Sequence, residues 1–302
     1  MTAARKVVPN ETHLMTRRCT QRQMLLRPER RVEEIFLYCL ALAAERYGLT
    51  IHGFIAMSNH EHFIVRDNRG NYPEFLAYHH RLVATAMNVL RGRRENFWAA
   101  EQPSAVRLVE PADRFAKLVY LLANPVAADL VDCVSDWPGA SSFKLHLSSQ
   151  TKTIKRPRGF FRADGAMPAE VTLRIERPAG FEVLTDEEWT TKLANAVRAE
   201  EERARAARRA RAKRVLGRKA ILRAAPTDTP KSLERRGTLR PCIACQNREL
   251  RIAELAALAR FRAERRLASR RLLAGEHEVL FPYGTYRVRG FFLTKPPPSL
   301  AA

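Results

Sequence analysis

The chain has 302 residues, 46% of them hydrophobic, and carries a formal charge of +21 from 53 Lys+Arg against 32 Asp+Glu. That length suggests two domains, and the apolar content excludes a chain disordered throughout. The longest apolar run, Ile35 to Ala44, spans only ten residues, too few to cross a bilayer, so no membrane span is expected.

The charge is unevenly spread. Residues 1–150 hold 19 basic against 15 acidic side chains, whereas 151–302 hold 34 against 17. The first half reads as an ordinary globular domain and the second as a polyanion-binding arm. Arginine dominates the basic set and its planar fork suits phosphate, so the expected partner is nucleic acid. Five cysteines, Cys19, Cys39, Cys133, Cys242 and Cys245, are few and odd in number. With no N-terminal signal region read, they point to a reducing, cytoplasmic setting.

In chain order, 12–20 reads as a strand. After Pro28 the period of RRVEEIFLYCLALAAERYG is helical, with Gly48 as its C-terminal stop. IHGFIAM and HEHFIVR follow as two strands joined tightly at Ser58-Asn59, a hairpin. Residues 72–91 form a second helix, a strand lies within 97–109 despite Pro103, and 112–131 form a third helix. Strand, helix, two strands, helix, strand is a split βαβ order. The fold class expected is therefore α+β and ferredoxin-like, an antiparallel sheet with helices on one face, over residues 1–146.

Beyond residue 147 the character changes. SSQTKTIKRPRG reads as a basic linker, and 186–223 as a helix rich in Ala, Arg and Glu. A loop with three prolines and CIAC follows, then a helix over 246–273. The aromatic end VLFPYGTYRVRGFFL is suited to pack back on the core. Residues 147–302 are thus expected to be a basic, mostly α-helical extension. Ten basic residues and no acid lie between Arg203 and Arg223, so Arg203, Arg205, Arg208, Arg209, Arg211, Lys213 and Arg214 are candidate DNA contacts. The bland alternative is a solvated helix face.

Two groups of residues carry chemistry. Side chains alternate on a strand, so His60 and His62 share a face and Glu61 points the other way. Two imidazoles so placed can chelate a divalent ion, or be an incidental pair. Tyr120 and Asn124, four residues apart on a helix, also share a face. Pro125 biases Asn124 away from helical geometry, so a bend is expected there. Read alone, that helix favours amphipathic packing, with Asn124 and Pro125 marking its end. Tyr78-His79-His80 reads as packing and surface, and Cys242-x-x-Cys245 as half a zinc site with no second pair nearby, so that zinc, completed by a second subunit or His277, is the less favoured reading.

Taken together, SNHEHFIV and, about sixty residues later, YLLANPVAADLV resemble the IS200/IS605-like tyrosine transposases of the HUH type, in the branch associated with repetitive extragenic palindromes. The likeness covers roughly residues 12–145 and includes the segment around Trp137. It implies Tyr120 as the nucleophile, His60 and His62 as metal ligands, and Asn124 completing a Mg²⁺ or Mn²⁺ site. It also implies single-stranded or hairpin DNA as substrate, cut through a 5′-phosphotyrosine. A homodimer is compatible with it. Ala127 and Asp129 depart from the family pattern, where arginine and glycine are common, which puts DNA contacts in doubt rather than chemistry. A silent DNA- or structured-RNA-binding protein on the same fold is the alternative. A replication or conjugation initiator nuclease shares the chemistry but not the Tyr-x-x-x-Asn-Pro helix.

Overall fold

The computed structural model describes residues 4–148, 150–162, 164–232, 241–286 and 293–297. Its first half runs β1 (Glu11–Arg18), α1 (Arg30–Tyr47), β2 (Leu49–Ala56), β3 (His60–Asp67), α2 (Tyr72–Arg91), β4 (Ser104–Leu108) and α3 (Pro111–Ala127). The sheet order is β2-β3-β1-β4, antiparallel throughout, which is the ferredoxin-like arrangement the element order implied. Helix α1 stops at Gly48, whose φ of 67° is the left-handed cap that glycine adopts without steric cost. Strand β4 begins immediately after Pro103, which has no N–H to give to the ladder.

Alternation along the strands divides the core in two. Met15, Phe54, Phe63 and Val65 face α1 and α2, among Phe36, Leu40, Phe75 and Val83. Leu14, Ile55, Ile64 and Val106 face the other way, against Leu118, Leu121, Leu122 and Val126 of α3. Helices therefore cover both faces of the sheet rather than the one face expected. The two crossover helices lie on one face and the added helix α3 on the other. A bulge at His52 lets β2 change step, and Gly53 sits where a Cβ would come within 2.5 Å of Leu118 Cδ1.

The second half continues with α4 (Phe143–His146), β5 (Thr151–Lys155), β6 (Glu170–Arg174), α5 (Asp186–Ala210), α6 (Arg218–Arg223), β7 (Ile243–Ala244) and α7 (Arg248–Leu273). Three expectations are corrected here. The stretch read as a linker contains β5, which pairs with β6 and buries Ile154, Val171 and Leu173 against α1. The basic helix is not continuous over 186–223: α5 ends at Ala210, Ala212 takes a left-handed φ of 49°, and α6 starts only after Gly217. Helix α3 is not bent open at Pro125 but runs through it to Ala127.

The extension also docks on the first half. Trp189, Leu193 and Val197 of α5 are buried with α3, and β7 adds a parallel strand beside β4. Of the aromatic end, Val279 and Phe281 are buried with Ala268, and Gly284 accepts from Val7 N at 3.0 Å. Its residues 287–292 lie outside the described residues, as do 233–240 of the proline-containing loop. Among the described residues no helix is long and apolar enough to cross a membrane.

Replacing Trp189 with alanine is expected to cost about 3–5 kcal/mol, because it opens a large cavity between α3 and α5. Chemical denaturation measures it, and a loss below about 1 kcal/mol would mean that the extension does not share the core.

Three buried histidines make the fold acid-sensitive. Burial lowers His13 to about 3, aided by the Arg107 charge, and lowers His52 to about 4 and His146 to about 3. Each takes a proton when unfolded, near pH 6.5, that the folded chain refuses, so stability is full above pH 6.5 and falls as the pH drops toward 4. The slope expected is up to about 1.4 kcal/mol per pH unit for each histidine. Denaturation curves at pH 7, 6 and 5 measure it, and a flat profile would refute it.

Candidate active site

His60 and His62 lie on β3, the strand flanked by β1 and β2. Cross-strand register sets Thr16 opposite His62 and Arg18 opposite His60, and all four point to the α3 face. The two imidazole rings meet edge-on with centroids 4.8 Å apart. Buried leucines clamp α3 onto this same face, so its neighbouring stripe, Lys117, Tyr120 and Asn124, comes to the end of the sheet that holds the histidines. Tyr120 packs edge-on to His62 at 6.3 Å between centroids, and the Lys117 ammonium lies 5.3 Å from the Tyr120 ring. Asn124 Nδ2 is 3.4 Å from His62 Nε2. The four residues singled out from two distant motifs are thus brought together.

The tyrosine is presented rather than packed. It is 46% exposed on a helix whose neighbouring leucines are fully buried, which leaves the ring open to solvent. His60 is lowered to about 4, by burial first and by the Arg18 charge second, and His62 to about 3, by burial and then by His60. Both are neutral at neutral pH, the form that binds metal.

The other ring nitrogens are engaged. His60 Nδ1 lies 2.7 Å from Asn59 Oδ1, and His62 Nδ1 lies 2.7 Å from Thr16 Oγ1. Two neutral imidazoles, each with Nδ1 tied back, and a carboxamide that can turn its oxygen inward make a donor set that fits a divalent cation with positions to spare. Thr16 and Arg18 escape a reading by motif, and Asn59 lies within one without a role assigned to it. Asn59 reads there as a turn residue, whereas Thr16 and Arg18 join the site only through β1 register.

Glu61 points to the opposite face, as alternation requires. There it corrects the reading of His79 and His80 as packing and surface: both are buried and converge on it. Glu61 Oε2 is 3.3 Å from His79 Nε2, and Oε1 is 2.7 Å from His80 Nε2. Burial alone would raise the Glu61 carboxyl, but the two imidazoles outweigh it and hold it below the usual carboxylate range. The histidines differ in direction on α2 yet have long enough reach to meet one carboxylate.

The two C-terminal cysteines face separate partners. Cys245 Sγ is 3.6 Å from Glu110 Oε2, while Cys242 Sγ receives Arg262 Nη2 at 3.3 Å. Glu110, Asp113 and Cys245 gather closely, but both Asp113 oxygens already accept backbone N–H groups, from Glu110 and Gln246, as a helix cap does.

The arginine cluster is divided. Arg208 is buried and ion-paired with Asp132, Arg205 donates to the Asp132 carbonyl at 2.9 Å, Arg211 pairs with Asp129 and Arg203 with Glu200. Arg209, Lys213 and Arg214 are exposed. Arg208→Ala is expected to destabilise the fold by about 1–2 kcal/mol and Arg209→Ala by less than about 0.5 kcal/mol, since only the first leaves a partner behind. Urea denaturation of the two variants separates them, and equal effects would remove the structural role of Arg208.

No family model matches the chain, and no curated protein matches it. Among solved structures it is similar to a REP-associated tyrosine transposase bound to a REP hairpin, with 17% identity and a TM-score of 0.42, over 61% of this chain and 99% of that one. A transposase candidate from Deinococcus radiodurans R1 is similar over 39% of this chain and 93% of its own, with 15% identity and a TM-score of 0.29.

Proposed function

We propose that the protein is a metal-dependent, single-strand DNA nuclease and strand transferase of the HUH tyrosine type, acting near DNA hairpins. The single observation that carries this reading is the meeting of Tyr120 and Asn124 from α3 with His60 and His62 from β3. Packing alone does not require a half-exposed tyrosine, a carboxamide and two neutral imidazoles at one point. A silent binder would need none of them.

In this reading His60 and His62 would hold a Mn²⁺ or Mg²⁺ ion, and Asn124 would add its amide oxygen after a half-turn of the carboxamide. Two nitrogen donors favour Mn²⁺ over Mg²⁺. A bound ion would supply positive charge at the scissile phosphate. Tyr120 Oη gives up its proton and attacks phosphorus. A Tyr–O–P bond forms, the P–O3′ bond breaks, and the 3′-oxygen leaves as a hydroxyl once protonated. The 5′-phosphotyrosine retains the energy of the broken ester, so a second 3′-hydroxyl can reverse the step without ATP. The Lys117 ammonium lies beside the Tyr120 ring, 5.3 Å from its centroid, and adds positive charge where the negatively charged phosphate would approach. Arg18, opposite His60, is placed to meet a phosphate oxygen, with its present partner Glu101 at 3.0 Å exchanged for the substrate. Arg209, Lys213 and Arg214 extend the contact along the backbone.

Incubation with end-labelled single-stranded hairpin DNA and Mn²⁺ is expected to give a denaturation-resistant protein–DNA adduct with the wild type. Tyr120→Phe and His62→Ala should lower its yield on the order of a thousandfold or more. Adduct formation by Tyr120→Phe, or none by the wild type, would sink the nuclease. Binding should weaken steeply with salt, and replacing Arg209, Lys213 and Arg214 by glutamate should flatten that dependence. An unchanged slope would leave the arm out of the DNA contact.

A further inference from the structure

The tight turn between β2 and β3 holds a device that acts on one of the two histidines. An imidazole can bind a cation through Nε2 only when its single proton sits on Nδ1, and the free ring divides between both tautomers. Which one His60 adopts depends on the atom facing Nδ1, and that atom belongs to Asn59. A carboxamide is ambiguous by itself, because its oxygen accepts and its nitrogen donates. Here the ambiguity is removed. Asn59 Nδ2 lies 3.1 Å from the carbonyl oxygen of Arg22, an atom that can only accept, so the nitrogen must face Arg22 and the oxygen must face His60.

The Arg22 carbonyl is itself held in place by an unusual stretch of backbone. Gln21 and Arg22 both lie in the left-handed region, with φ of 49° and 59°, a conformation that costs side-chain-bearing residues about a kcal/mol or more each. Three further backbone bonds tie this segment to the turn and to the neighbouring chain: Cys19 N to Asn59 O at 2.8 Å, Leu26 N to Ser58 O at 2.9 Å and Thr20 N to Phe97 O at 2.9 Å.

We infer that Asn59 is a positioning residue which, oriented by the Arg22 carbonyl, fixes His60 as the Nδ1–H tautomer and so aims an Nε2 lone pair at the cation position. This rests on the metal-dependent reading above only for its consequence, since the tautomer exists without metal. Thr16 does less for His62, because a hydroxyl either donates or accepts. The second contact, Asn124 Nδ2 at 3.4 Å from His62 Nε2, does not decide it either, because that carboxamide can turn.

Two measurements on the full chain test the inference. Nitrogen-15 NMR of the histidine rings, in metal-free protein at neutral pH, reads the tautomer directly. His60, assigned by loss of its signals in His60→Gln, should be the Nδ1–H form in the wild type and in Asn59→Asp, which keeps an acceptor, and a mixture in Asn59→Leu. Titration with Mn²⁺ alone, followed by the electron paramagnetic resonance of the free ion, should show affinity about 10–100-fold weaker in Asn59→Leu and within about threefold of wild type in Asn59→Asp. Finding the Nε2–H form in the wild type overturns the inference whether or not Asn59→Leu folds. Equal Mn²⁺ affinity in the wild type and a folded Asn59→Leu overturns it as well. A wild type that binds no Mn²⁺ but shows the Nδ1–H form would defeat the nuclease reading and leave the role of Asn59 standing.

Discussion

Strand β3 runs between β1 and β2, and its residues alternate between two environments that could hardly differ more. Phe63 and Val65 enter the α1–α2 core, and Glu61 goes with them into a fully buried position. An ionised carboxylate there would cost several kcal/mol if left alone. His79 and His80 of α2 meet it, and that meeting ties the strand to the helix behind it. On the other face the same pleat lifts His60 and His62 toward α3. The register that satisfies Glu61 is the register that turns the histidine pair toward α3. A slip by one residue would bury two imidazoles among phenylalanines and turn the carboxylate toward Tyr120.

The site is consequently assembled from parts that have independent reasons to be where they are. Helix α3 sits on the sheet because Leu118, Leu121, Leu122 and Val126 need cover, and Gly53 lets it approach closely. Tyr120 and Asn124 ride on the adjacent stripe. Helix α5 then seals the far side of α3 through Trp189, Leu193 and Val197, so part of the extension belongs to the support of the site rather than to a separate arm. The Asp132 and Asp129 pairs with Arg208 and Arg211 continue that docking in charged form. Arg209 in the last turn of α5, with Lys213 and Arg214 just past it, stays exposed.

Much of this was legible in the sequence. The order of strands and helices through residue 127, the Gly48 stop, the shared face of His60 and His62, the opposite face of Glu61 and the pairing of Tyr120 with Asn124 all follow from periods of 2 and 3.6 and from local stop signals. The β5–β6 hairpin was hidden because its strands are five residues long and one side is polar, so their alternation is outweighed by the charges around them. The break after Ala210 was hidden because alanine and arginine are good helix formers and only the left-handed Ala212 and Gly217 interrupt them.

By itself, then, the sequence determined which residues share a face of each element, and through that the ferredoxin-like order and the two pairs of chemical side chains. Only the tertiary structure decided that those pairs meet, that Thr16, Arg18 and Asn59 join them, that His79 and His80 turn inward to Glu61, and that Arg203, Arg208 and Arg211 of the basic run are spent on ion pairs within the chain. The reason is physical. Periodicity is a property of neighbours along the backbone, whereas these contacts depend on strand register and on which helix covers which face, and both are fixed by burial summed over the whole core.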